Sequence, residues 1–151
     1  SASTTPSPGT PAQAMAAALA FAAHSDPKVG VVDGYAALPL AVQRGEQPID
    51  LAGGHANPCA RPPTHRFTSS ERAVIQAAFH GRTVFLVRDP AVALRQRPPG
   101  SLLLVATRPL LAGQRGTVMV LSCVPSPQQV LVTAQWDGHA WRATATGTSK
   151  R

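Results

Sequence analysis

The chain has 151 residues, enough for one hydrophobic core and too few for two of comfortable size. Its 44% hydrophobic content is ordinary, but much of it is alanine and only 5% is aromatic, so each residue buries little apolar area and the core needs bracing. Lys plus Arg number 14 against 7 acids, a net charge of +7 that starves paired-carboxylate chemistry, and no apolar run nears the roughly 20 residues of a membrane-spanning helix.

Ser1 to Pro11 is uncharged Ser/Thr/Pro/Gly, the chemistry of a flexible linker, and residues 12–147 are read as a single α+β domain followed by a basic tail at 148–151. Thr10 suits an N-cap with Pro11 at the first helical position. The run Ala12 to Ala23 then has the highest helix propensity in the chain, with Met15, Leu19, Ala22 and Ala23 on one stripe. Asp26-Pro27 stops it.

Residues 27–66 read ambiguously. Val29 to Val32 and Leu38 to Val42 are apolar runs broken by Asp33-Gly34, Pro39 and Gly45, compatible with two short strands or one ragged helix. From Gln47 to Thr64 the prolines and glycines predict a long loop in need of an anchor, and Cys59 sits in its middle.

Thr68 and Glu71 have capping-box spacing, and Ala73, Val74, Ala77 and Ala78 follow at helical intervals, which predicts a helix over about 69–80. Arg82 to Arg88 is rich in β-branched and aromatic residues and predicts a strand. Asp89-Pro90 is able to start one helical turn that Pro98-Pro99-Gly100 ends. Four strand-like runs complete the chain: Leu102 to Thr107, Thr117 to Val124, Val130 to Trp136 and Ala140 to Thr146. Gly113 to Gly116 and Pro125 to Pro127 turn the first two pairs, and Asp137-Gly138 is the strongest hairpin signal, with Trp136 and Trp141 flanking it as a cross-strand pair.

The expected architecture is an N-terminal helix and a second short helix packed on one face of a curved antiparallel sheet of four to five strands. That element order is shared with cone-shaped nuclear-transport-factor-like domains and with cystatin-like ones, among others; no motif accompanies it, and no family is inferred.

Two cysteines, Cys59 and Cys123, are able to close a loop of about 65 residues, worth about 4 kcal/mol on the chain-entropy model. Such a bond favours a periplasmic or secreted home, with anchoring through a segment outside this chain left open. Cys123 also lies in an apolar run where a free thiol packs as a small hydrophobe.

Chemistry-bearing motifs are sparse. His55, Cys59 and His65 share one loop, but their H-x3-C-x5-H spacing matches no structural zinc pattern, and no metal or cofactor is expected. No G-x-S-x-G elbow occurs, a Cys59–His55 pair lacks a helix N-terminus to hold a thiolate, and neither phosphate-loop pattern is present. Gly113-Gln-Arg-Gly116 matches the bare G-x-x-G of nucleic-acid-clamping KH loops, which join two helices; here it falls between two expected strands.

The charge is placed unevenly. Residues 1–75 hold five basic and five acidic side chains, whereas residues 76–151 hold nine basic and two acidic ones. Arg82, Arg88, Arg95, Arg97, Arg108 and Arg115 cluster around the first strands as a candidate basic binding surface for an acidic protein, an anionic envelope surface or nucleic acid. An Arg-rich, Lys-poor, Ala-rich composition also fits a GC-rich bacterial source in which arginines mainly solubilise. The expectation is a non-catalytic, extracytoplasmic binding or assembly module of a secretion, pilus or envelope type that engages an acidic protein. A nucleic-acid-associated protein is the first alternative, and a small hydrolase or metal-binding protein the second.

Overall fold

The computed structural model describes residues 10–24, 26, 28–46, 58–96, 102–124 and 128–150, the side chains of 146–150 excepted. The segment 1–9, His55, Arg97 and the expected turns at 98–100 and 125–127 lie outside the described residues.

Helix α1 (Pro11–Ala22) starts where its residues dictate. The Thr10 hydroxyl accepts from the Gln13 backbone N–H, and the Gln13 side chain accepts from the Thr10 N–H. Strand β1 (Lys28–Ala36) follows, then a single turn α2 (Leu40–Gln43), a two-residue strand β2 (His65–Arg66) and helix α3 (Ser69–Ala78). Helix α3 carries the anticipated Thr68–Glu71 capping box. Strand β3 (Thr83–Val87), helix α4 (Pro90–Gln96) and strands β4 (Leu102–Thr107), β5 (Leu110–Ala112), β6 (Arg115–Val124), β7 (Gln128–Trp136) and β8 (Trp141–Lys150) complete the order. Strand β8 thus runs through most of the segment read as a basic tail.

These strands form one open sheet of eight, ordered β2-β1-β4-β6-β7-β8, with β3 also beside β1 and β5 beside β6. The expected all-antiparallel sheet of four to five strands is corrected on both counts. The sheet is mixed, because β1 pairs in parallel with β3 and with β4, while the remaining pairs are antiparallel. Parallel neighbours need long crossovers, and the segments carrying α3 and α4 supply them.

The longest of the uncounted strands is β1, hidden where Asp33-Gly34 reads as a break. Both residues lie inside the strand instead. Gly34 is required because a Cβ there would come within 2.3 Å of the His65 carbonyl oxygen and 2.6 Å of Pro63, so β2 is able to pack against it only in the absence of a side chain. Asp33 is buried and accepts from Arg72 Nε and Nη2 of α3, each at 2.9 Å, while Arg66 approaches at 3.6 Å. A carboxylate in a strand interior is tolerated here because its charge is paired. Leu38 to Val42, open between strand and helix, contains the single turn α2.

Both faces of the central strands are covered. Along β4, Leu104 and Ala106 join a cluster with Met15 and Leu19 of α1 and Ile75 of α3; Leu103 and Val105 alternate into a second cluster with Val42 of α2, Cys59, Met119, Leu121 and Cys123. Ala93 and Leu94 of α4 pack on this second cluster. Residues of α1 and α3 belong to the first cluster, while α2, α4 and the Cys59 segment contribute to the second. A strand buried on both sides reads as an unbroken apolar run, which is why Leu102 to Ala106 lacks alternation. On the outer side of the sheet the period of two returns: Val132 and Ala134 are buried, while Gln135 between β7's Ala134 and Trp136 is exposed.

Buried and held by a two-pronged guanidinium, Asp33 is costly to strand. Arg72→Ala leaves its carboxylate with only the more distant Arg66, so this single change is expected to lower stability in chemical denaturation more than the double change Asp33→Asn with Arg72→Ala. Equal or greater loss in the double variant would show that removing Arg72 does not leave a costly stranded carboxylate.

Candidate binding surfaces

Of the loop residues considered for metal, Cys59 and His65 are described, and both are used otherwise. Cys59 and Cys123 form a disulfide with Cα atoms 5.8 Å apart. His65 stacks on Tyr35 at 4.6 Å between ring centroids, across the β1–β2 pair. Among the described residues, no group of three or more His, Cys, Asp or Glu side chains converges on one point.

Four of the described carboxylates are similarly committed. Asp33 pairs with Arg72, Glu71 closes the α3 cap, and Asp89 accepts from the Ala91 N–H at the start of α4. Asp137 accepts from the backbone N–H groups of His139 and Ala140, each at 2.8 Å, and from Arg142 Nε at 2.6 Å. Those donors, the Ala140 and His139 amides first, hold its carboxyl far below the usual carboxylate range.

The six candidate arginines do not act alike. Arg82 is occupied: its guanidinium donates to the carbonyl oxygens of His24 and Ala20 at the end of α1 and lies 4.9 Å from the Phe79 ring centroid. It is satisfying helix carbonyls that lack partners inside the helix. Arg88 follows β3 and Arg82 precedes it, so the two stand about 20 Å apart at opposite ends of the sheet, at about 3.3 Å per residue. Arg108 follows β4, which runs parallel to β3's neighbour β1, and Arg115 opens the antiparallel β6. Arg88, Arg108 and Arg115 therefore lie towards the same end of the sheet. Arg95 is in the last turn of α4. These four are exposed, and none makes an ion pair with a carboxylate among the described residues. The Gly113–Gly116 segment is a strand–strand turn joining β5 to β6, with Arg115 paired to Ala112 and Gln135.

One feature escaped sequence reasoning, a cleft of about 550 Å³ between α1, α3 and the β7–β8 hairpin. Its helical walls are mostly small side chains, Ala17 and Ala20 of α1 with Ala77 of α3, beside the larger Phe21 and Val74, and Trp136 and Trp141 also line it. The hairpin is built as its residues predict: Trp136 pairs with Trp141, ring centroids 5.8 Å apart, around the turn in which Gly138 takes φ 100°. Gln13, His80 and His139 bring polar groups to the lining. The available signal was alanine at helical spacing on both α1 and α3, since two such faces are unable to fill the space beside a tryptophan pair.

Comparison with known proteins finds no matching family, no matching curated protein and no matching solved structure. The shared element order noted above therefore gains no support, and the class defined here is an α+β domain with an open mixed sheet, a disulfide, and, among the described residues, no helix long and apolar enough to cross a membrane.

Folding depresses the Asp137 carboxyl, so the folded chain releases this proton more readily than the unfolded one. The stability so gained is full above the ordinary carboxylate range near about pH 4 and is lost as pH falls towards the depressed folded value. Thermal unfolding of wild type and Asp137→Asn is expected to show a gap that is constant above about pH 5 and closes in stronger acid. A gap that widens in acid would contradict this.

Proposed function

We propose that this domain is a non-catalytic binding or assembly module that works outside the cytoplasm and engages an acidic protein through its arginines. The observation that carries the reading is the set of exposed arginines, Arg88, Arg95, Arg108 and Arg115, that make no ion pair with any carboxylate among the described residues. The described carboxylates in caps, turns and the Asp33 pair leave this charge uncompensated, and uncompensated surface charge steers an oppositely charged partner. The Cys59–Cys123 bond supports an oxidising compartment, the setting of an envelope, secretion or pilus-type assembly. Nucleic acid would meet the same charge but usually asks for stacking aromatics among the cations, and Arg88, Arg108 and Arg115 have none interleaved with them in one strand.

Changing Arg88, Arg108 and Arg115 together to Glu is expected to weaken binding to poly-glutamate, used as the acidic-protein probe, by about tenfold or more, with the fold intact by circular dichroism. Undiminished binding would remove the basic surface from the account. A single-stranded or duplex oligonucleotide that binds more tightly than poly-glutamate, with affinity falling steeply from low to physiological salt, would favour the nucleic-acid reading instead.

A further inference from the structure

None of the arginines of the proposed protein-binding surface lines the cleft between α1, α3 and the β7–β8 hairpin. Its volume of about 550 Å³ lies within the range of small-molecule sites, about 300–1,000 Å³. Its lining has the composition of such sites: apolar and aromatic walls with a few polar groups. Alanines on both helices make much of those walls smooth, and the tryptophan pair lines the cleft as well. Smooth apolar walls beside aromatic rings favour a flat ring, which stacks or meets their edges. An extended peptide fits poorly, because each of its residues brings an N–H and a C=O that alanine methyls do not satisfy.

One atom specifies the ligand further. Trp141 Nε1 is shielded from solvent and has no hydrogen-bond partner among the described residues. An indole N–H is a donor only, and leaving one buried and unmet is unfavourable. The ring itself is only half-buried, on the wall of the cleft. Turning it to expose the N–H forfeits no hydrogen bond, so an acceptor arriving in the cleft recovers one that the protein alone does not make.

We propose that this cleft binds a planar, largely apolar small molecule carrying a hydrogen-bond acceptor at its edge, and that Trp141 turns to donate its indole N–H to that acceptor. Removing the donor while keeping a ring, as in Trp141→Phe, then weakens a ligand whose acceptor is a carboxylate by about tenfold or more, the range of one hydrogen bond to a charged group.

The test titrates the intact chain with 2-naphthoate and, separately, with naphthalene, following the two indole N–H signals by ¹⁵N–¹H NMR, with Trp141→Phe assigning them. Naphthoate is expected to give a saturable shift of the Trp141 signal and to bind more tightly than naphthalene, with the preference lost in Trp141→Phe. Ala17→Leu with Ala77→Leu fills the cleft from partly exposed positions with a strong helix former, so the fold should survive, and affinity should fall at least about tenfold. A variant with Arg88 and Arg108 changed to Glu should bind naphthoate as wild type does, which separates this site from the basic surface. No saturable shift up to the solubility of naphthoate, or unchanged affinity in the filled variant, would overturn the site. Equal affinity for both probes would overturn the role given to Trp141.

Discussion

A covalent tie holds down the face of the sheet that the short helices cover. On the α1 side, a three-turn helix and α3 supply Met15, Leu19, Ile75 and Phe79, all fully buried. On the other side, among the described residues, Val32, Leu103, Val105, Met119 and Leu121 are covered by a single turn of α2, the seven residues of α4 and the segment around Cys59. Irregular chain has no ladder to hold it against a core. The bond from Cys59 to Cys123 on β6 fixes that segment in place, and its chain-entropy value of about 4 kcal/mol is a large share of the about 5–15 kcal/mol by which a domain is stable. A lean, alanine-rich composition makes that share matter more.

The same leanness accounts for the cleft. Alanine lets α1 lie close to the sheet and to α3, which buries Ala14, Ala16 and Ala18, but it leaves space wherever a facing element is large. At the β7–β8 hairpin the facing element is the tryptophan pair, and the space remains. Core economy on one side of α1 thus becomes a candidate binding volume on the other.

Much of the fold was legible because local chemistry and tertiary structure agree. The Thr10 N-cap, the Thr68–Glu71 capping box, the Asp137-Gly138 hairpin and the pairing of Trp136 with Trp141 follow from residues a few positions apart, and the four late strands follow from β-branched runs. What failed was long-range. Asp33-Gly34 has turn chemistry, and only Arg72, 39 residues later, and the backbone of β2 explain why it continues as a strand. Parallel pairing of β1 with β3 and β4 leaves no local mark, and neither does burial of β4 on both faces beyond its unbroken apolar run. Of the candidate residues, the cysteine pair was legible from count and compartment logic. The placement of the arginines was not legible, since Arg82 serves the end of α1 and stands at the opposite end of the sheet from Arg88, Arg108 and Arg115. The cleft arises from what two helices fail to fill, which no single segment records.

The most direct test of this account measures the state of the two thiols and what their bond holds. Intact mass after alkylation in denaturant, with and without prior reduction, is paired with denaturant unfolding of both forms. No alkylation before reduction, two added groups after it, and a loss of about 4 kcal/mol on reduction would bear out a disulfide-braced, two-sided core. Alkylation of either cysteine without reduction, or stability unchanged by reduction, would contradict it and remove the main support for a home outside the cytoplasm.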